Sequence, residues 1–509
     1  MRAAGFAVLL LALPGAAAAQ TDTIADPLAG FDAYVSQAVA DWEVPGLAIA
    51  VVKDDSVVFM KGYGVRELGK DEPVTVRTLF ANASTTKAFT TVAVAMMVDE
   101  GKLAWDDPVA KHLPTFLLND PYVTREVTLR DLLTHQVGFG DPWYLWYGVD
   151  LEYPEIVRRL RYIEPESSFR ARFAYNNIAY ATAGVIAGQA YGSSWDDLVR
   201  ERIFEPLGMR ETVTQARDLA GRENVAAIHD VVDDTLRVIS GTGVGLVDPI
   251  APAGSMYSTV FDMTKWIRFL LNEGKIAGQE LVSDAVFREL FRPQTVMPVG
   301  EFYPTERLTD PHFMAYGLAW FLQDYRGEFV AFHTGSIDGT VAIVGLVPEH
   351  ELGVVVFANR DHAELRHALM FRVFDAYLGE PRRDWSTEMK ELYDGLAAEA
   401  RERDAEIEEQ RVLETMPTHS LADYVGVYAD SLYGSVEVRL EDGGLVLERS
   451  PFLTADLSHW HYDAFSADWR NRWVARTLVT FRIGSDGTVS SLEMYGRFLT
   501  RQPEEEGEE

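Results

Sequence analysis

The chain has 509 residues, of which 47% are hydrophobic, so it is long enough for two or three domains with sizeable cores. Its 78 acidic and 46 basic residues give a formal net charge of -32, which disfavours nucleic acid and anionic membrane surfaces as partners. The absence of cysteine excludes disulfides, thiol chemistry and a lipid-modified cysteine.

The first 19 residues have the pattern of a secretory signal peptide. Arg2 gives a positive start, an apolar centre follows, and Ala17-Ala18-Ala19 provides small residues for cleavage. We therefore expect residues 1–19 to be removed and the mature protein to be secreted or periplasmic. A retained N-terminal anchor is the alternative, but the run is too short to span a bilayer. No membrane anchor is expected after cleavage.

Apolar spacing after the leader predicts a helix, a β-hairpin and a second, buried helix. The first helix covers residues 27–42, and the hairpin strands cover 47–52 and 57–64. The second helix is a long apolar run that we expect to begin at Ser84. Residues three apart on a helix share a face, so Ser84 and Lys87 would lie side by side.

A Ser84–Lys87 pair has a chemical use. A serine hydroxyl is a poor nucleophile until a base takes its proton, and lysine can be that base only if burial or nearby positive charge lowers its pKa. The positive end of a helix would also stabilise negative charge on an attacked carbonyl. Alone the pair is weak evidence, because an N-capping serine beside a solvated lysine gives the same spacing.

The middle of the chain, residues 105–263, reads as mostly helical. Its aromatic stretch at 143–148 is unusual for a connector, and we expect it at a substrate groove. Tyr175 and Asn177 stand two apart on a turn before a helix, where both could project into one cleft. A packing tyrosine with an N-capping asparagine is the alternative reading. Strand patterns then return, followed by a helix, at residues 328–336, 341–347, 353–359 and 364–378.

Strands from both ends of residues 24–380 therefore flank a helical insertion. We predict an α+β fold in which one antiparallel sheet is flanked by helices. Residues 381–417 are highly charged and predict a solvated helical linker with i,i+4 pairs such as Glu399–Arg403. Residues 418–502 alternate short strands with turns and predict a small all-β, barrel-like accessory domain. Residues 503–509 predict a disordered acidic tail.

His459 and His461 lie on one predicted strand face and could bind a metal ion. No third ligand lies nearby in sequence, so we expect a surface strand there instead. We expect no metal and no cofactor for this protein.

Three short motifs stand in order along the first domain: Ser84-x-x-Lys87, Tyr175-x-Asn177 and His333-Thr334-Gly335. Together with flanking sequence at 61–65, 131–135 and 205–209 they resemble the class C β-lactamase-like serine hydrolases. This group of the penicillin-binding-protein clan includes D-alanyl-D-alanine carboxypeptidases, D-aminopeptidases and family VIII esterases. The resemblance covers residues 31–378 and implies a β-lactamase/transpeptidase-like fold.

The resemblance also implies catalytic roles. Ser84 would be the acylated nucleophile, and Lys87 would accept or relay its proton. Tyr175 would be a second base or proton shuttle whose pKa Lys87 lowers, and Asn177 would bind a substrate carbonyl and hold Lys87. The substrate would lie along a strand edge, with backbone N–H groups of Ser84 and Ser336 as the oxyanion hole; the residues of that edge would be His333, Thr334 and Gly335.

Two positions depart from the family pattern. Asn176 stands where serine or alanine is common, and His333 stands where many β-lactamases carry lysine. Histidine is mostly neutral at pH 7, so it offers no fixed cation to a substrate carboxylate. This weakens the case for β-lactam hydrolysis and leaves peptidase, amidase and esterase activity open.

The predicted function is thus a secreted serine hydrolase that forms an acyl-enzyme on an ester, an amide or a D-amino-acid peptide. A β-lactam is the alternative substrate, and the partner is a small molecule or peptide. The rival class is a catalytically weak protein that binds peptidoglycan or a D-amino acid, which the intact Ser84, Lys87 and Tyr175 disfavour. No Gly-x-Ser-x-Gly or His-x-x-x-His motif supports another hydrolase class. Nothing in the sequence indicates an oligomeric state.

Overall fold

A computed structural model describes residues 26–239, 245–379, 383–471 and 474–503. The predicted signal peptide, residues 1–19, lies outside the described residues, as do the first residues of the predicted linker and nearly all of the predicted acidic tail.

Helices and strands alternate in the first three quarters of the chain, and strands alone build the last fifth. The helices are α1 Phe31–Asp41, α2 Thr86–Asp99, α3 Val109–His112, α4 Pro121–Glu126, α5 Leu129–Leu133, α6 Trp143–Trp146, α7 Tyr153–Arg159, α8 Asn177–Tyr191, α9 Trp195–Val199, α10 Glu205–Leu207, α11 Val260–Leu271, α12 Asp284–Glu289, α13 Glu306–Thr309, α14 Leu365–Leu378 and α15 Trp385–Glu409. The strands are β1 Gly46–Lys53, β2 Ser56–Gly64, β3 Phe80–Ala81, β4 His229–Val232, β5 Thr235–Val238, β6 Tyr257–Ser258, β7 Lys275–Ile276, β8 Gln279–Glu280, β9 Thr295–Met297, β10 Met314–Tyr316, β11 Phe321–Tyr325, β12 Glu328–Ile337, β13 Thr340–Val347, β14 Leu352–Ala358, β15 Gly426–Asp430, β16 Gly434–Glu441, β17 Gly444–Glu448, β18 Thr454–His461, β19 Ala464–Trp469, β20 Thr477–Ile483, β21 Val489–Met494 and β22 Arg497–Arg501.

The central sheet confirms the predicted α+β fold class. Eight antiparallel strands lie in the order β2-β1-β14-β13-β12-β11-β10-β9. Strand β1, from the start of the domain, pairs with β14 near its end, with Leu47 opposite Ala358. The three short strands β9 to β11 extend the sheet beyond the predicted strands.

Helices cover both faces of this sheet, which explains why β13 and β14 are apolar at nearly every position. Gly345 lies opposite Val354, so Gly345 and the neighbouring Gly353 face opposite sides. A side chain at Gly345 would meet Met370 of α14, and one at Gly353 would meet Ile267 of α11. Helices α14 and α11 therefore pack on the two faces.

Helix α2, which follows Ser84, lies inside the helical insertion. Helix α2 is buried over residues 86–97, and the ring of Phe89 stacks on Trp266 of α11 at a centroid distance of 3.8 Å. Ser84 lies in a 3-10 turn, Ala83–Thr85, directly before α2, rather than in the α-helix itself. Ala83 has a φ of 46°, which lies in the left-handed region and turns the chain sharply just before Ser84.

Helix α15 connects the sheet domain to the second domain. Its buried residues are Trp385, Ser386 and Met389, so the rest of the helix is largely solvated. Lys390 and Asp394 form an i,i+4 ion pair at 2.7 Å. The predicted Glu399–Arg403 pair is not among the ion pairs of the described residues, so that expectation was wrong.

The second domain is a closed barrel in which β15 to β22 pair in order. This confirms the predicted barrel-like domain. Its interior is filled by apolar side chains that include Tyr428, Phe465 and Phe481. His459 and His461 flank an irregularity in β18, and within the described residues no three potential metal ligands gather. None of the described helices has the length and apolarity to cross a membrane.

Candidate active site

The fold brings the three predicted motifs together around one small cleft. Its volume is about 130 Å³. The residues that line it are Ala83, Ser84, Trp146, Tyr147, Asn177, Val247, Ala253, Gly254, Ser336, Ile337 and Asp338. Ser84 is the partly exposed hydroxyl at the base of this cleft, and Lys87 lies directly behind it.

Lys87 is fully buried, with 0% of its surface exposed. Its amine nitrogen lies 3.2 Å from Ser84 Oγ, 2.7 Å from Asn177 Oδ1 and 2.8 Å from the carbonyl oxygen of Ala253. None of these partners is a carboxylate, so no ion pair compensates for the loss of water around the ammonium group. Burial lowers the pKa of Lys87 to about 7, and a more distant attraction to Asp141 opposes that shift.

These contacts determine the direction of the Ser84 hydrogen bond when the amine is neutral. A neutral amine has two N–H donors and one lone pair. The oxygens of Asn177 and Ala253 can only accept, so they take both N–H groups. The lone pair is then left for the Ser84 hydroxyl, which donates to it. This is the geometry of a general base beside its nucleophile.

Asp141 fixes the orientation of the Asn177 amide. Its carboxylate accepts from Asn177 Nδ2 at 3.0 Å, from the Asn177 backbone N–H at 3.0 Å and from Trp146 Nε1 at 3.2 Å. Because a carboxylate only accepts, the Nδ2 group must face Asp141 and Oδ1 must face Lys87. Burial raises the pKa of Asp141, whereas the hydrogen bonds from Asn177 and the more distant attraction of Lys87 lower it.

The expected pKa shift of Tyr175 was wrong. Burial raises its pKa well above the ordinary value, and a hydrogen bond with Ser84 opposes this without outweighing it. Lys87 Nζ lies 4.8 Å from the centre of the Tyr175 ring, but an amine with a pKa near 7 is a weak source of positive charge at neutral pH. Tyr175 is therefore a neutral phenol that can donate a proton, rather than a phenolate base.

His135 and Asn176 hold the turn that carries Tyr175 and Asn177. Asn176 caps α8 by accepting the Ala179 N–H at 2.9 Å, and this accounts for an asparagine at that departure from the family pattern. Its own backbone N–H donates to His135 Nδ1 at 2.9 Å. His135 is buried, and burial together with Lys87 and His333 holds its pKa well below its ordinary value.

Strand β12 runs directly beside the nucleophile. A side chain on Gly335 would lie 2.9 Å from Ser84 N and closer still to the Asn82 carbonyl, so glycine permits this approach. Pairing with β11 ends at Phe332, whereas pairing with β13 continues to Ile337. The stretch after Phe332 therefore pairs with β13 on one side and faces the Ser84 turn on the other.

His333 and Thr334 were expected along the substrate-binding strand edge, but neither side chain is among the described residues that line the cleft. Both are buried, and His333 contacts the Tyr316 hydroxyl at 3.1 Å and the Thr334 carbonyl at 2.6 Å. Burial lowers the pKa of His333 to about 3, so its imidazole is neutral at physiological pH. Thr334 Oγ1 lies 2.7 Å from the Tyr303 hydroxyl. These two side chains support the strand, and Ser336, the residue directly after this motif, lines the cleft.

Arg366, a cation that contacts β12, is paired with a buried carboxylate. Arg366 donates to Ser336 Oγ at 2.9 Å, but it also forms a buried ion pair with Glu364 at 2.9 Å. Glu364 in turn contacts His367 Nδ1 at 2.8 Å. The pKa of Glu364 is held low by Arg366 and His367 against the effect of burial. Among the described residues that line the cleft, Asp338 is the charged one, and it accepts a hydrogen bond from the Tyr147 hydroxyl.

Sequence reasoning missed Asp141, Trp146 and the Ala253 carbonyl. The signal for the first two was present, since both lie in or beside the aromatic stretch that was placed at a substrate groove. A backbone carbonyl leaves no sequence signal, and Ala253 approaches Lys87 only in the folded chain.

Comparison with known proteins agrees with this fold. Residues 31–377 match the family described as Beta-lactamase, and residues 410–509 match a domain of unknown function, DUF3471. The chain belongs to the Beta-lactamase family, which confirms the resemblance drawn from the sequence.

Two curated relatives illustrate the range of this similarity. Unguisins hydrolase ungD of Aspergillus violaceofuscus is 29% identical over 466 residues, which cover 84% of this chain and 80% of that protein. Protein flp of Staphylococcus aureus strain MW2 is 24% identical over 335 residues, which cover 64% of this chain and 62% of that protein.

Solved structures share the fold over nearly the whole chain. The octameric penicillin-binding protein homologue from Pyrococcus abyssi aligns with a TM-score of 0.62 and 22% identity, over 93% of this chain and 100% of that one. SurE aligns with a TM-score of 0.56 and 21% identity, over 94% and 99%. At this level of identity the likeness shows the fold alone.

Replacing Asp141 with asparagine tests its link to Lys87. The change removes a negative charge that raises the pKa of Lys87, so the acid limb of the pH profile of kcat/KM should move to lower pH by roughly one unit. The new amide no longer dictates the orientation of Asn177, so the plateau kcat should fall by about tenfold or more. Turnover of an activated ester between pH 5 and 9 measures both effects.

The matched control is Asp218→Asn, an exposed carboxylate of the same domain, which should leave the profile unchanged. An acid limb that stays in place in Asp141→Asn would contradict the electrostatic link.

Proposed function

We propose that this chain is a secreted or periplasmic serine hydrolase that cleaves esters or amides through an acyl-enzyme on Ser84. The observation that carries the proposal is the buried Lys87 amine, which has its two N–H groups occupied and its lone pair aimed at the Ser84 hydroxyl. A named hydrolase among the relatives supports the reaction class. Export rests on the leader-like pattern of the first 19 residues.

The first half of the reaction forms the acyl-enzyme. Ser84 Oγ attacks the substrate carbonyl while its proton passes to Lys87 Nζ. The oxyanion that forms accepts hydrogen bonds from the backbone N–H groups of Ser84 and Ser336. The carbon–oxygen or carbon–nitrogen bond to the leaving group then breaks. The leaving group takes a proton from the neutral Tyr175 hydroxyl, which regains one from Lys87.

The second half releases the acyl group. A water molecule gives its proton to the neutral Lys87 amine as its oxygen attacks the acyl carbon. The bond to Ser84 Oγ breaks, and Ser84 regains a proton from Lys87. The same pKa near 7 suits both halves, because the amine must accept and return a proton at neutral pH.

The charge around the cleft favours substrates without a carboxylate near the scissile bond. His333 is neutral, Arg366 is paired with Glu364, and Asp338 lines the cleft. Neither His333 nor Arg366 therefore offers an uncompensated positive charge to a substrate carboxylate. Carboxypeptidase and β-lactam substrates present such a carboxylate, so neutral esters and amides are the better fit. SurE was also determined with D-Leu, which keeps D-amino-acid amides among the candidates.

Removal of the nucleophile tests the reaction class. Ser84→Ala should reduce p-nitrophenyl acetate turnover by roughly 10⁴-fold or more, because the hydroxyl that carries the acyl intermediate is lost. It should also abolish labelling by a fluorophosphonate probe, which intact-protein mass spectrometry reads as a single adduct on the unchanged chain.

Ser458→Ala, an exposed serine of the barrel, is the control and should label and turn over as before. Ester turnover that persists in Ser84→Ala at the rate of the unchanged chain would remove the proposed mechanism.

Two activated esters of equal acyl length test the charge argument. The p-nitrophenyl ester of butyrate is neutral, and that of succinate ends in a carboxylate. We expect kcat/KM to be at least about tenfold higher for butyrate, because the neutral His333 and the paired Arg366 give the succinate carboxylate no uncompensated positive charge. Equal or faster turnover of the succinate ester would contradict this, because it would require a positively charged group that interacts with the substrate carboxylate in the cleft.

A further inference from the structure

The aromatic segment, residues 143–148, lies between the two domains. It begins with the short helix α6 and ends at Gly148. Its first residues point to the barrel, whereas Trp146 and Tyr147 line the cleft that contains Ser84. This segment therefore connects the barrel to the active site.

Tyr144 is anchored in the barrel. It is 1% exposed and belongs to the same hydrophobic cluster as the barrel interior. Its ring contacts Tyr433 and Tyr495 at centroid distances of 4.9 and 4.4 Å. Arg449 lies over that ring at 4.1 Å and donates a hydrogen bond to the Tyr144 carbonyl. One barrel residue thus holds both the side chain and the backbone of Tyr144.

The other end of the segment is held by the same barrel loop, residues 449–453, which joins β17 to β18. Ser450 Oγ donates to the Gly148 carbonyl at 2.6 Å, and Phe452 packs edge-on against the ring of Tyr147 at 5.6 Å. Gly148 has a φ of 65°, and a Cβ there would lie 2.8 Å from Phe452 Cε1. The barrel loop follows the segment so closely that only glycine fits at this contact.

On its opposite side the segment touches the catalytic groups. Trp146 Nε1 donates to the Asp141 oxygen that also accepts from Asn177 Nδ2. Tyr147 donates its hydroxyl to Asp338, in the turn after β12. Trp146 and Tyr147 therefore form one wall of the cleft, and the Tyr147–Asp338 bond joins that wall to the wall formed by β12.

We propose that the barrel loop is a positioning element that sets the size of acyl group the cleft accepts, by holding Trp146 and Tyr147 against the opposite wall. The proposal rests on the serine-hydrolase function proposed above. It assigns the barrel a role in acyl selection, and the apolar packing that fills the barrel interior fits a supporting domain. Arg449, Ser450 and Phe452 are the positioning residues.

Phe452→Ala removes the packing behind Tyr147 and is the main test. Two readouts are made on the full chain: hydrogen–deuterium exchange of the peptide that covers residues 141–148, and the ratio of kcat/KM for p-nitrophenyl octanoate to that for p-nitrophenyl acetate. We expect faster exchange in this peptide and a rise of about tenfold or more in the ratio, because a mobile wall admits a longer acyl chain.

Two further variants keep the test decisive. Ser450→Ala deletes a single hydrogen bond and should move both readouts in the same direction by a smaller factor, even if Phe452→Ala folds poorly. Phe498→Ala is the control, since Phe498 is an exposed barrel phenylalanine that packs on Arg482, and it should change neither readout.

Unchanged hydrogen–deuterium exchange of the 141–148 peptide in both Phe452→Ala and Ser450→Ala would contradict the proposal that the barrel loop holds this segment in place. Faster exchange with an octanoate-to-acetate ratio within twofold of the unchanged chain would overturn the role in acyl selection. Failure of the hydrolase proposal gives a different result, because the unchanged chain would then turn over neither ester. The hydrogen–deuterium exchange measurement would still show whether the barrel loop holds residues 141–148.

Discussion

The site depends on one buried amine that has no carboxylate in contact with it. Lys87 is surrounded by a serine hydroxyl, an amide oxygen and a backbone carbonyl, so its environment favours the neutral form. A pKa lowered from 10.5 to about 7 corresponds to about 5 kcal/mol of free energy that disfavours the charged state. A surface lysine at the same spacing from a serine would remain protonated and could not act as a base.

The rest of the architecture keeps that environment in place. Helix α2 is buried along its first three turns, β12 reaches the Ser84 turn because Gly335 has no side chain, and Asp141 turns the amide of Asn177 toward Lys87. The aromatic segment then links Asp141 to the barrel through Trp146. Groups that are distant in sequence therefore surround the proposed Ser84–Lys87 proton-transfer pair, and the second domain contacts the segment that carries Trp146.

The sequence predicted the long, uniformly apolar elements well. Strands β1, β13 and β14 and helix α2 are continuous apolar runs, and the order of the three motifs correctly indicated the family. Strands β9 to β11 were missed because three to five residues give too little periodicity to separate strand from loop.

The electrostatics of the site could not be predicted in the same way. The lowered pKa expected for Tyr175 assumed a cationic Lys87, but the charge of Lys87 depends on how completely the folded chain excludes water. The orienting role of Asp141 also required the fold, because it lies 54 positions from Lys87 and belongs to no motif. The i,i+4 spacing did not decide which exposed charges pair on α15, because Lys390 and Asp394 form an ion pair whereas Glu399 and Arg403 are not among the described pairs.

Direct titration of Lys87 is the measurement closest to the central claim. The chain has nine lysines, so their ¹³Cε NMR signals can be followed with pH, and the Lys87 signal is the one lost in Lys87→Met. The account predicts a midpoint for Lys87 near pH 7, well below its ordinary value. A Lys87 signal that stays in its protonated position up to pH 9 or beyond would contradict it, because a charged amine could not accept the Ser84 proton.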